Sequence, residues 1–145
     1  MYNIDEIKDR ILNYDTEEII KDYKETMDSY HKYVTEETSK YPKYLPNSVI
    51  DEDKSVKWNR KEIQRRNDVR EQKRKDLRIL ENNIRNVYEN AIVESLATEY
   101  KISYDEAKLI YDFSYTEHHS YGVSEVVDYC YEYLQLYENL KNVRK

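Results

Sequence analysis

Apolar residues recur along this chain with a helical period almost throughout. Ile4, Ile7 and Ile11 fall three and four residues apart, and so do Ile19, Tyr23, Met27, Tyr30 and Val34. Side chains spaced this way share one helix face, so residues 1–38 read as N-terminal helices. Asn3 before Glu6, and Asp15 before Glu18, carry side-chain oxygens suited to capping a helix start. The second helix either starts afresh at Asp15 or continues the first through a bend near Tyr14.

The period breaks over residues 39–53, which hold both prolines, Pro42 and Pro46. Each disfavours the α region for the residue before it, so a long reversing loop is expected here. Residues 54–101 contain neither Pro nor Gly. One helix of about 45 residues, roughly 65–70 Å long, fits this run; a break near Lys75 is the other option. Its halves differ. Between 59 and 76 only Ile63 and Val69 are apolar, the composition of a stretch that is solvated or meets a partner. Beyond it, Leu77, Leu80, Ile84, Val87, Tyr88, Ala91, Ile92, Leu96 and Tyr100 form a stripe that belongs in a core.

Residues 103–143 read as a helical hairpin. Ser103 and Glu106 match a capping box, and Ala107, Ile110, Tyr111 and Ser114 line one side of the helix that follows. After Gly122, the residues Val123, Val126, Val127, Cys130, Leu134 and Tyr137 line the last helix. The pattern predicts a single all-α domain over 1–145. It has N-terminal helices, a long central helix and a C-terminal helical hairpin, arranged as an elongated bundle or partial coiled coil.

Composition agrees. The chain has 1 Gly and 2 Pro, where average usage over this length gives about 10 and about 7. A sheet-rich fold needs those residues in its turns. The 17 tyrosines must supply much of the core, and each brings a hydroxyl that seeks a partner or water. A thin core with many half-buried rings is expected. The single cysteine, Cys130, excludes an internal disulfide and gives no metal framework. No apolar run approaches the about 18–20 residues of a membrane span, and the first residues lack a basic-then-apolar signal pattern. A cytoplasmic, reducing compartment without membrane contact is the expectation.

The net charge of −6 conceals a division. Residues 1–53 carry net −7, residues 54–88 net +7 and residues 89–145 net −6. No tyrosine lies between Tyr44 and Tyr88.

The segment from Ile110 to Val126 resembles a pattern of small, mostly uncharacterised bacteriophage proteins, A-Y-x-x-G-H-S-x-G-x-x-E-V. Tyr115, His119, Ser120, Gly122, Glu125 and Val126 match it, while Ser114 and His118 replace the Ala and the first Gly. The resemblance covers about 25 residues and implies a phage-like origin more than an activity. Abundant Tyr, Asn, Lys, Ile, Asp and Glu with scarce Ala and Gly also suit an AT-rich genome. Read without the family, the segment is a structural corner. Ser120 is placed to cap the last helix, His119 to hydrogen-bond Glu125, and Gly122 to allow close helix approach or an unusual φ.

No constellation reads as catalytic. His118 and His119 lie beside Glu117 and Glu125, but adjacent helical side chains point about 100° apart and the H-E-x-x-H spacing is missing. Cys130 sits in an apolar stripe, where thiols are inert. The expectation is a protein that is not an enzyme and takes no metal or cofactor. Two charged surfaces remain. Arg60, Lys61, Arg65, Arg66, Arg70, Lys73 and Arg74 make a basic helix. It suits nucleic-acid phosphates, or else is neutralised in an i,i+4 and interhelical charge lattice with the acidic helices of this chain, or contacts a protein. Tyr111, Asp112, Tyr115 and Glu117, with Asp128, Tyr129, Glu132 and Tyr133, make an acidic, tyrosine-rich face. Such a face is either a binding surface or a solvated exterior above a Tyr-rich core. The leading expectation is a phage or mobile-element accessory protein that inhibits a host protein, with nucleic-acid-directed defence complexes as targets, in the manner of anti-CRISPR proteins. The alternatives are a nucleic-acid binder using residues 54–85, or a coiled-coil assembly protein that pairs with a second copy.

Overall fold

In the computed structural model five α-helices account for the regular structure, and no strand occurs among the described residues. Those are residues 2–40, 56–118 and 122–144, the side chains of 56–60 and 144 excepted. The expected Pro-containing loop falls outside them for all but its first two residues. The helices are α1 (Ile4–Ile11), α2 (Thr16–Ser39), α3 (Val56–Tyr100), α4 (Tyr104–His118) and α5 (Val123–Arg144).

Local chemistry sets the boundaries. The Asn3 side chain accepts hydrogen bonds from the Asp5 and Glu6 amides and so caps α1. The chain turns after Ile11, where the Tyr14 amide donates to the Ile11 carbonyl at 3.0 Å. Helix α2 therefore starts afresh rather than continuing α1. Asp15 and Glu18 form the reciprocal box, with the Glu18 amide on Asp15 Oδ1 at 2.8 Å and the Asp15 amide on Glu18 Oε1 at 3.4 Å. Helix α3 is continuous over 45 residues and does not break near Lys75. It stops at Lys101, whose φ of 55° is left-handed. There the Ile102 amide reaches back to the Ala97 carbonyl at 3.0 Å. This is the Schellman closure, with Lys where Gly is usual.

The chain divides into two units. The first combines Asn3–Lys24 with Arg85–Lys145. Its core takes Ile7 and Ile11 from α1, Ile19 from α2, and Tyr88, Ile92, Val93 and Leu96 from α3. Ala107 and Tyr111 of α4 join it, with Val126, Val127, Cys130 and Leu134 of α5. Burying each large apolar side chain stabilises the fold by about 1.5–3 kcal/mol. The stripe assigned to α3 from the sequence is buried at Ile84, Val87, Tyr88, Ile92 and Leu96, and half-buried at Leu80, Ala91 and Tyr100. The fully buried Tyr88 donates its hydroxyl to Asp22 at 2.6 Å and accepts from Arg10 at 3.0 Å. Arg10 and Asp22 close the triangle at 2.8 Å. The Asp22 carboxylate raises the Arg10 pKa, which keeps the guanidinium charged at any ordinary pH.

The second unit combines Tyr2 with Glu25–Ile84. Its buried apolar side chains among the described residues are Met27, Tyr30, Leu77 and Ile84. Tyr30 is fully buried and donates to the Leu77 carbonyl, and Tyr2 meets its ring edge-on at 5.3 Å between centroids. Burial pushes the Tyr30 phenol up to about 12. The core is thin here, with tyrosine rings replacing aliphatic volume.

Candidate protein-binding face on the α4–α5 hairpin

The hairpin is built from its caps inward. Ser103 and Glu106 exchange hydrogen bonds at 3.1 and 3.3 Å and start α4. At the other end Gly122 takes φ of +121° and its carbonyl accepts the first α5 hydrogen bond, from the Val126 amide at 3.1 Å. Of the two roles expected for this glycine, the unusual φ is the one found. His119 and Ser120, the other members of the expected corner, lie outside the described residues. Glu125 is exposed, one turn into α5.

The buried Ser114 hydroxyl donates to the Val126 carbonyl at 2.6 Å and ties α4 to α5. Cys130 lies against Ser114, and burial pushes its thiol up to about 11. The thiol stays protonated at neutral pH and is a poor nucleophile. Further out, the His118 ring lies flat on Tyr129, with centroids 3.5 Å apart and planes at 9°. His118 Nε2 sits 3.0 Å from the Tyr133 hydroxyl. Phe113 meets Tyr133 edge-on at 5.2 Å. The Tyr137 hydroxyl donates to the Glu106 carboxylate, which Lys141 approaches at 3.4 Å. These contacts hold Glu106 at about 2, with the Tyr137 hydrogen bond the largest cause.

The eight residues expected on the acidic face separate into three places. Tyr111 is a correction: it is only 2% exposed and belongs to the core. Its position one turn after Ala107 puts it on the buried side of α4. Asp112 and Tyr115 occupy the flank facing α2 and α3. Asp112 pairs with Lys108 at 3.0 Å, and Tyr115 stacks on Tyr111 at 6.4 Å. Lys108 and Asp112 both lie close enough to influence Glu89, whose pKa is raised chiefly by burial. Glu117, Tyr129 and Tyr133 gather along the α4–α5 seam, and the Tyr133 phenol is raised first by desolvation and then by the nearby carboxylates of Glu117 and Glu132. Asp128 is exposed on α5. Glu117, Asp128 and Glu132 have no salt bridge to a cation among the described residues.

Sequence reasoning missed four exposed apolar side chains on these two helices. Leu109, Phe113, Leu136 and Leu140 are 54–72% exposed. The signal was present: Leu109 with Phe113, and Leu136 with Leu140, each recur at four residues, off the core stripe.

The basic helix lies in the second unit and is largely paired. Glu62 bridges Arg65 at 2.7 Å and Arg66 at 3.0 Å, and these two guanidinia hold its carboxyl at about 2. Arg74 pairs with Glu71 at 3.3 Å, and Lys73 reaches Glu37 of α2 at 3.1 Å. Lys61 is exposed. Arg70 buries its Nε without a hydrogen-bond partner. The side chain of Arg60 lies outside the described residues. Exposed pairs of this kind add little stability but neutralise the field of the helix.

In the first unit an open groove of about 890 Å³ runs from Leu12 and Asp15 to Glu94, Ser95 and Tyr131. Thr16 and Ser95 share a hydrogen bond of 2.6 Å in its wall. Among the described residues no three His, Cys, Asp or Glu side chains come together to hold a metal ion. No described helix is long and apolar enough to cross a membrane. No protein-family model matches the chain, and neither a curated protein nor a solved structure matches it.

Proposed function

We propose that this chain is a phage or mobile-element accessory protein that binds and inhibits a host protein in the host cytoplasm, without catalysis. The target class is nucleic-acid-directed defence machinery, as for anti-CRISPR proteins. The observation that carries this reading is the set of carboxylates with no salt bridge among the described residues, Glu117, Asp128 and Glu132, on the α4–α5 hairpin beside the rings of Tyr129 and Tyr133. A cluster of carboxylates attracts a cationic surface of the kind that binds phosphates. Tyrosine adds large contact area at low entropic cost. The phage-like segment Ile110–Val126 points to the same biology.

The pairing of Arg65, Arg66, Lys73 and Arg74 with carboxylates of this chain counts against the basic helix as the working surface. The test is expression in bacteria that carry a nucleic-acid-targeting defence system, followed by phage challenge. Restored plaque formation supports the reading, and unchanged plaque counts across several such systems contradict it. A gel-shift series against salt separates the nucleic-acid alternative. Retarded nucleic acid that is released on changing Arg65, Arg66 and Arg70 favours that alternative.

A further inference from the structure

We infer that the α4–α5 seam is a docking groove for a cationic amphipathic helix of the partner. This deepens the binding reading above and rests on it. Leu109 and Phe113 stand one turn apart on α4, and Leu136 and Leu140 one turn apart on α5. Phe113 touches Tyr133, and Leu136 and Leu140 follow Tyr133 at three and seven residues, on its side of α5. In the antiparallel register set by Phe113 with Tyr133 and Glu106 with Tyr137, Leu109 lies across from Leu136. The five side chains therefore make one strip along the seam. Four of them are more than half exposed: Leu109 at 72%, Phe113 at 54%, and Leu136 and Leu140 at 59%. Scattered single apolar residues are ordinary on a surface, whereas a contiguous strip marks an interaction site.

Charge complementarity selects the occupant. Glu117 and Glu132 both act electrostatically on Tyr133, so they rim the strip, and neither has a salt bridge to a cation among the described residues. The nearby cation Lys141 is committed to Glu106 and Tyr137. A third helix packs well into the groove between two antiparallel helices. Leucines every three to four residues would fill the strip, and Lys or Arg on either side would meet the carboxylates.

The probe is a labelled synthetic helix with Leu at i, i+3, i+4 and i+7 and Lys elsewhere, titrated into the full chain by fluorescence anisotropy. Binding should weaken at least about tenfold in the L109S/L136S variant, while L12S, an equally exposed leucine elsewhere in the first unit, leaves it unchanged. A probe with Glu in place of Lys should not bind. Equal binding to both variants overturns the inference, as does equal binding of the Glu probe. A doubled mass in light scattering that L109S/L136S returns to the monomer also overturns it, because the strip is then covered by a second copy. The parent reading is tested separately by phage challenge with the same variants. If the chain binds the probe through the strip but never restores plaques, the inhibitor reading fails and the groove stands. If plaques are restored equally by L109S/L136S, the groove fails and the inhibitor reading stands.

Discussion

Lys101 and Gly122 show what a glycine-poor sequence does at its corners. Lys101 adopts φ of 55° to end α3, and a left-handed conformation costs an L-residue about 1–2 kcal/mol. Glycine removes that cost but loses more entropy on folding, so Lys101→Gly should stabilise the chain by a net of about 0.5–1 kcal/mol. Thermal unfolding should move up by a few degrees. Gly122 is the reverse case. Its φ of +121° is one that L-residues rarely adopt and only under strain, and a Cβ would stand 3.2 Å from Glu125 Oε2. That carboxylate can swing away, so the backbone dominates, and Gly122→Ala should destabilise by about 1–3 kcal/mol. Urea unfolding with an unchanged m-value checks this. The sequence marked Gly122 as a special position because it is the only glycine. It gave no sign of Lys101, since any residue can be forced into a left-handed cap by the closure around it. Tyr30 and Tyr88 are fully buried on the apolar stripes read from the sequence, while Tyr111, read both on the α4 stripe and on the acidic face, belongs to the core alone.

The helices follow from caps and apolar period, and both were legible. Asp15 with Glu18 and Ser103 with Glu106 make their reciprocal bonds, and the amphipathic stripes face their cores. The hairpin adds a pH dependence the sequence did not suggest. Glu106 titrates at about 2 in the folded chain and at about 4.3 when unfolded. Its stabilisation is therefore complete above about pH 4.5 and is lost as the pH falls towards 2. The melting temperature of the native chain should drop more steeply over that window than that of Glu106→Gln, which binds no proton there. Parallel curves would mean that the Tyr137 and Ser103 contacts do not hold the carboxylate. The exposed strip at Leu109, Phe113, Leu136 and Leu140 escaped the sequence reading. Each helix carries one dominant core stripe, and the second, weaker period was masked by it. The α4 and α5 halves of the proposed strip come together only through the antiparallel register set by Phe113 with Tyr133 and Tyr137 with Glu106.

Across the whole molecule the acidic, basic and acidic blocks meet different fates. The basic block spends Arg65, Arg66, Lys73 and Arg74 on carboxylates of its own unit, while the hairpin leaves Glu117, Asp128 and Glu132 without salt-bridge partners among the described residues. The fold class was readable from period and composition. The choice of working surface was only partly so: Glu62 with Arg65 and Arg66, and Glu71 with Arg74, pair three and four residues apart within α3, whereas Lys73 with Glu37 depends on which helix faces lie together. We propose that the acidic aromatic hairpin is that surface. Plaque formation on a defended host expressing either the native chain or Glu117→Gln/Asp128→Asn/Glu132→Gln, with circular dichroism showing that the helices persist, tests this. All three positions are exposed, so the fold should tolerate the change. The native chain should raise plaque counts and the neutralised variant should lose at least about tenfold of that gain. Equal plaque counts from the two chains would contradict the claim.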